Sequence, residues 1–132
     1  MIRAAVAAGL VAGLIQGPGA ALAQGVPSGQ ALVLWDVQWE PVEGQGTQAV
    51  LRFIAPGIAD PAAVDAEAAQ ADLDWLCQTH AVALADLPYA RTDSVVLTLM
   101  DRPAPRGEAD PDVTRYFGFY DIADGRCEPA EF

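Results

Sequence analysis

The feature that most limits what this chain can build is its opening stretch, because it decides which residues take part in the fold at all. Met1-Ile2-Arg3 carries one positive charge ahead of an apolar run from Ala4 to Ile15, and Gly17-Pro18-Gly19 then breaks it. Ala21-Leu22-Ala23 places small residues at the two positions a signal peptidase reads, with Gln24 as the expected new N-terminus. A spanning helix takes roughly 20 apolar residues, and this run stops short of that. No cysteine lies near the cleavage point to accept a lipid. Residues 1–23 are therefore expected to be a cleavable signal, and residues 24–132 a single exported domain. That domain is periplasmic or secreted, with no membrane insertion after cleavage.

Cleavage changes the charge balance. All seven basic residues are arginines, and Arg3 leaves with the signal. Six arginines then face eighteen carboxylates, a formal charge of −12 where the full chain has −11. Such a surface repels phosphate backbones and anionic headgroups, which makes nucleic acid a poor partner; it attracts a basic protein or a divalent cation, and simple solubility accounts for the charge as well. In an oxidising compartment the two cysteines, Cys77 and Cys127, most simply form one disulfide. Closing a loop of about fifty residues stabilises by roughly 4 kcal/mol in the chain-entropy picture.

From Ala31 the pattern alternates. Val33, Trp35, Val37 and Trp39 fall on one face, with Asp36, Gln38 and Glu40 on the other, which predicts a half-buried strand. Pro41 ends it and Glu43-Gly44-Gln45-Gly46 turns the chain into a second strand over 47–54. A helix follows, starting at Asp60-Pro61 or at Asp65. Its buried stripe reads Ala62, Ala66, Ala69, Leu73, Leu76, Cys77 and His80, while Val64, Ala68, Ala71 and Trp75 line the opposite side. Trp75 is either covered by a loop or exposed, and an exposed Trp75 is a candidate partner contact.

Beyond a connection through Pro88, a third strand runs over 94–101 with Val95, Leu97 and Leu99 on one face. Three prolines exclude regular structure from the segment between Arg102 and Asp112. A fourth strand over 115–122 carries Tyr116, Phe117, Phe119 and Tyr120, and Asp124-Gly125 turns the chain before Cys127. The expected fold is α+β: a small antiparallel sheet of about four strands, ββαββ in sequence order. One helix packs on one face and one disulfide staples it.

Little in the chain announces chemistry. His80 is the only histidine and falls on the buried stripe of the helix end. Ser28 and Ser94 lack the Gly-x-Ser-x-Gly context of a nucleophile, and Gly44-Gln45-Gly46 lacks the third glycine of a phosphate loop. No residue is assigned a catalytic or metal-binding role, and no cofactor is called for. Glu108, Asp110 and Asp112 alternate like the first ligands of a calcium loop, but Val113 stands at the turn-glycine position and Phe119 at the closing glutamate. These acids read as a solvated loop, and a cation-dependent or carboxylate-based hydrolase centred on them is the alternative function. Arg102 and Arg106 beside them suggest an arginine–carboxylate network that holds the loop on the sheet. Loops ordered in this way often carry function.

One segment carries a resemblance. Asp101-Arg102-Pro103-x-Pro105-x-Gly107-Glu108-x-Asp110-Pro111-Asp112-x-Thr114-x-Tyr116-Phe117, with Leu73-x-x-Leu76-Cys77 and Asp124-Gly125-x-Cys127, resembles a group of short exported alphaproteobacterial proteins classed as a domain of unknown function. The likeness runs from about Ser28 to Cys127 and implies export and a shared fold, with no catalytic residues to carry over. The leading functional expectation is a non-catalytic periplasmic protein-interaction module, an inhibitor or accessory factor. Its candidate contacts are Trp75, Arg102, Arg106, Glu108, Asp110 and Asp112. A purely structural envelope protein is the remaining alternative.

Overall fold

The computed structural model describes residues 25–44, 46–85 and 92–131. The expected signal, residues 1–23, and the connection around Pro88 lie outside them. Five strands, β1 (Val33–Val42), β2 (Gly46–Ile54), β3 (Ser94–Met100), β4 (Arg115–Ala123) and β5 (Arg126–Pro129), form one sheet in chain order. A helix, α1 (Ala66–Leu76), crosses from β2 to β3 and continues through a π-helical turn (Cys77–Ala81) and a last α-turn (Val82–Ala85). The class is α+β, as expected. Among the described residues no helix is long and apolar enough to cross a membrane.

Two features of the expected sheet need correction. It has five strands, because Arg126–Pro129 doubles back on β4 through a turn in which Asp124 and Gly125 both take positive φ, 55° and 72°. That geometry suits the tight hairpin turns that keep strand twist. Four residues are too few for an alternation pattern to reveal a strand. The sheet is also mixed, since β2 and β3 pair in parallel while every other pair is antiparallel. A helical crossover returns the chain to the end of the sheet where β2 began, so β3 runs alongside it.

Asp65 starts the helix. Its Oδ1 accepts from the Ala68 amide at 2.8 Å, which satisfies one of the free amides of the first turn. Asp60 caps a separate turn, leaving Ala62 outside the helix and exposed, and Ala66 is exposed too. The Thr79 hydroxyl donates to the Trp75 carbonyl at 2.7 Å, at the point where the helix widens to its π-turn. Asp72, which falls outside the expected buried stripe, is completely buried. It accepts from the Ser28 amide, the Ser28 hydroxyl and Gln30 Nε2, and so ties the lead-in segment down.

One sheet face meets the helix. Ala49, Leu51, Phe53, Val95, Leu97, Leu99 and Tyr120 share a core with Ala69, Leu73, Leu76 and Cys77. Burying each large side chain contributes about 1.5–3 kcal/mol. Cys77 and Cys127 are disulfide-bonded, with Cα atoms 6.2 Å apart, which fastens the helix to β5. The Tyr120 ring lies across Gly118, where an added Cβ would sit 2.6 Å from the ring. Only glycine fits there.

The face of β1 also differs from expectation. A bulge between Leu34 and Asp36 leaves Trp35 as an extra, unpaired residue, 51% exposed. The bulge resets the alternation, so Leu34 and Val37 pack against the core in place of Val33 and Trp35.

Candidate functional site

The sheet face away from the helix carries the charged chemistry. Strand register places Asp36 opposite Arg52, Arg52 beside Thr98, Thr98 opposite Phe117, and Met100 opposite Arg115. Asp101, at the end of β3, closes the base of the loop that follows. Its amide donates to the Thr114 carbonyl, and its own carboxylate accepts from the Thr114 amide at 2.9 Å and from Arg102 at 3.0 Å.

Three arginines tether that loop to the sheet. Arg52, almost fully buried, grips Asp36 through Nε and Nη2 at 2.8 and 2.5 Å and sends Nη1 to the Ala104 carbonyl at 2.6 Å. Arg106 reaches from the loop to the Glu40 carboxylate through both Nε and Nη2. Arg115 donates Nη1 to the Glu108 carbonyl at 2.8 Å. Fork-to-carboxylate bonds of this kind are directional and about twice as strong as neutral ones. The Arg52 guanidinium holds the Asp36 carboxyl below its ordinary range, and Arg106 does the same for Glu40. Hydrogen bonding to Asp36 raises the Arg52 pKa in turn.

Between loop and sheet lies a cleft of about 590 Å³, floored by Arg52, Thr98 and Met100 and rimmed by Arg106, Glu108 and Phe117. Its size suits a small ligand or a few side chains of a partner. Phe117 stacks on Phe119 with ring centroids 6.3 Å apart, and both rings are more than two-fifths exposed. Three polar atoms of this face are buried with no hydrogen-bond partner among the described residues: Thr98 Oγ1, Arg115 Nε and Arg115 Nη2.

The loop motif, the helix end and the late cysteine are thus all parts of one architecture. The chain belongs to the DUF6497 family, a family of unknown function. The match covers residues 6–132. Comparison with curated proteins and with solved structures returns no match.

In this DUF6497 domain the candidate contact residues read from sequence fall in three places. Arg106 and Glu108 belong to the cleft. Arg102 sits at the loop base, paired with its neighbour Asp101 and largely exposed. Asp110 and Asp112 lie outside the cleft, exposed, with Asp110 Oδ1 accepting from the Asp112 amide at 3.0 Å in a local turn. Among the described residues no three His, Cys, Asp or Glu side chains come together to hold a metal.

Trp75 lies with the helix and does not line the cleft. It is half-buried against the core, with His80 edge-on at 5.8 Å and Gly25 of the lead-in against its ring. Ser28 donates its hydroxyl to Asp72. Sequence reasoning missed Arg52, Thr98 and Arg115; the expected arginine–carboxylate network does tie the loop down, with Glu40 on β1 as the partner of Arg106 and Asp101 as that of Arg102. Asp36 and Glu40, spaced four apart on β1, were the available signal: two acids on one strand face, opposite a strand whose one charge is Arg52.

Proposed function

We propose that this chain is an exported, non-catalytic interaction module that engages a partner protein on the sheet face carrying the 101–114 loop, as an inhibitor or accessory factor. The observation that carries this reading is the tethered loop itself. A long, proline-rich segment is bound to the sheet by Arg52, Arg106 and Arg115 so that a cleft and an aromatic shelf, Phe117 on Phe119, stand open beside it. Loops held on a rigid scaffold are the usual seat of binding. The Cys77–Cys127 bond and the apolar run from Ala4 to Ile15 support export to an oxidising compartment, periplasmic or external. The acidic balance supports a basic partner. Asp110 and Asp112 lie outside the cleft, and Glu40, which shares it with Glu108, is taken up by Arg106, which weighs against a hydrolase centred on Glu108, Asp110 and Asp112.

Crosslinking in periplasmic extract at low salt tests the reading. A discrete adduct is expected from the wild type and a weaker one from Phe117→Ala, with loss of the adduct at high salt. Absence of any adduct, or one indifferent to Phe117, sinks it. N-terminal sequencing of the exported form tests the processing site, with Gln24 as the expected first residue.

A further inference from the structure

We infer that the cleft under the loop takes a single carboxylate group, carried on an apolar or aromatic body, through the Nε–Nη2 edge of Arg115 and the hydroxyl of Thr98. The inference rests on the reading that this face binds, and it names the chemistry bound. Five buried side-chain polar atoms lack a hydrogen-bond partner among the described residues, and three of them gather here. The Glu108 carbonyl holds the Arg115 guanidinium by Nη1 alone, at 2.8 Å. That leaves without an acceptor the Nε–Nη2 edge, whose two parallel N–H groups match the two oxygens of a carboxylate. Thr98 is diagonal to Arg115 across the β3–β4 ladder, two residues along from its direct opposite, Phe117. Diagonal neighbours stand roughly 7–8 Å apart, close enough for one ligand group to lie between their polar ends.

The neighbouring arginines do not share this property. Arg52 is occupied by Asp36 and the Ala104 carbonyl, and Arg106 by Glu40. Buried donors with no acceptor are rare in folded proteins and call for an explanation, a ligand being one. Charge selects which anion. Glu40 and Glu108 line the same cleft as Arg52, Arg106 and Arg115, and with Arg52 spent on Asp36 and Arg106 on Glu40, a single guanidinium edge is left to meet a single negative charge. A monoanionic carboxylate is favoured over a phosphate. Phe117 and Met100 on the walls supply contact for an apolar body.

The test uses the full-length, disulfide-bonded protein labelled with ¹⁵N and four kinds of probe: phenylacetate, phenylacetamide, phenyl phosphate, and the tripeptide Ala-Ala-Phe with a free or an amidated C-terminus. The free acids are expected to shift the amides of Thr98, Arg115 and Phe117, and to bind about tenfold more tightly than their amides. Arg115→Lys abolishes that preference. Thr98→Val weakens acid binding while raising the melting temperature, a pair of opposite effects that a purely structural hydroxyl does not produce. Tighter binding of the peptide acid than of phenylacetate assigns the carboxylate to a partner's C-terminus, and the reverse order assigns it to a small organic acid. Equal affinity for acid and amide, tighter binding of phenyl phosphate, or an unchanged Arg115→Lys overturns the inference. If the acids fail while the crosslinked adduct persists and depends on Phe117, the carboxylate is wrong and the binding face stands. Failure of both removes the face as well.

Discussion

On its helix side the sheet seals Leu73, Leu76, Leu97 and Leu99 from water completely, while its other side is held by Arg52, Arg106 and Arg115 reaching for carboxylates and carbonyls. The first arrangement is non-directional and cooperative, because each side chain contributes through the area it buries. The second is a set of discrete bonds, each breakable by itself. Labour is divided between the two faces of one small sheet. One face contributes through buried area alone, and the other adds directional bonds above its own buried Val50, Val96 and Met100.

Breaking the helix face has the largest expected effect. Replacing Cys77 and Cys127 by serine together costs about 4 kcal/mol, read as a lower denaturant midpoint, with the loop-side bonds unaffected in the folded population. A cost under about 1 kcal/mol means that the helix end is already fixed by packing, and the contrast between the faces weakens. Gly118→Ala comes next. The new Cβ meets the Tyr120 ring, whose hydroxyl donates to Asp74 at 2.6 Å and accepts from Gln70, so the ring cannot yield freely. Burial and the Asp74 carboxylate also push the Tyr120 phenol well above its ordinary pKa, so it stays a donor in alkaline solution as well as at neutral pH. Overpacking of this kind costs about 1–3 kcal/mol, measured by chemical denaturation.

Changes on the loop face are expected to be smaller, and one is opposite in sign. Thr98→Val removes a buried hydroxyl with no partner among the described residues and stabilises the domain by about 1 kcal/mol in thermal melts. Glu40→Gln lowers global stability by at most about 1 kcal/mol, since the pair it breaks is partly exposed. Its effect is local: trypsin is expected to cut after Arg106 several times faster, because the loop loses its tie to β1. Cleavage at the wild-type rate breaks the claim that this pair holds the loop.

Acid sharpens the same contrast. Asp36 and Glu40 have folded pKa values below their unfolded ones. Their contribution is therefore full above the ordinary carboxylate pKa of about 4, and it fades as pH falls through the lower folded values. Amide exchange at Arg106 and Gly107 is expected to lose protection as pH drops from about 5 to about 2.5, while amides of Leu73 and Leu76 keep theirs. Simultaneous loss at both places contradicts the separation of the faces.

Much of this fold was legible in the sequence. Alternation located β2, β3 and β4, and the inward set Val95, Leu97 and Leu99 is the observed one. The helix and the disulfide followed from periodicity and cysteine count, while of the two candidate starts the first, Asp60-Pro61, caps a separate turn and the second, Asp65, is the observed one. What was hidden depends on neighbours that lie far away in the chain. A bulge at Trp35 leaves no local mark, because the residues around it alternate either way. Asp72 looks like any flank acid until Ser28 and Gln30 arrive to satisfy it. The site was half legible: the loop and Arg106 could be named. The grip of Arg52 on Asp36 is a matter of strand register, and the free edge of Arg115 is visible only once every partner is counted.

Strand order in the sheet equals strand order in the chain, and this bears on how the domain assembles. A chain emerging from its N-terminal end finds each strand's neighbour already in place, so no strand waits for one made much later. The exception is the covalent bond. Cys77 appears early, and its partner arrives only with β5, after the sheet core and the loop between β3 and β4 have been delivered. The staple can therefore close only once β5 has been made, after every residue of the β3–β4 pair and of the 101–114 loop has been delivered.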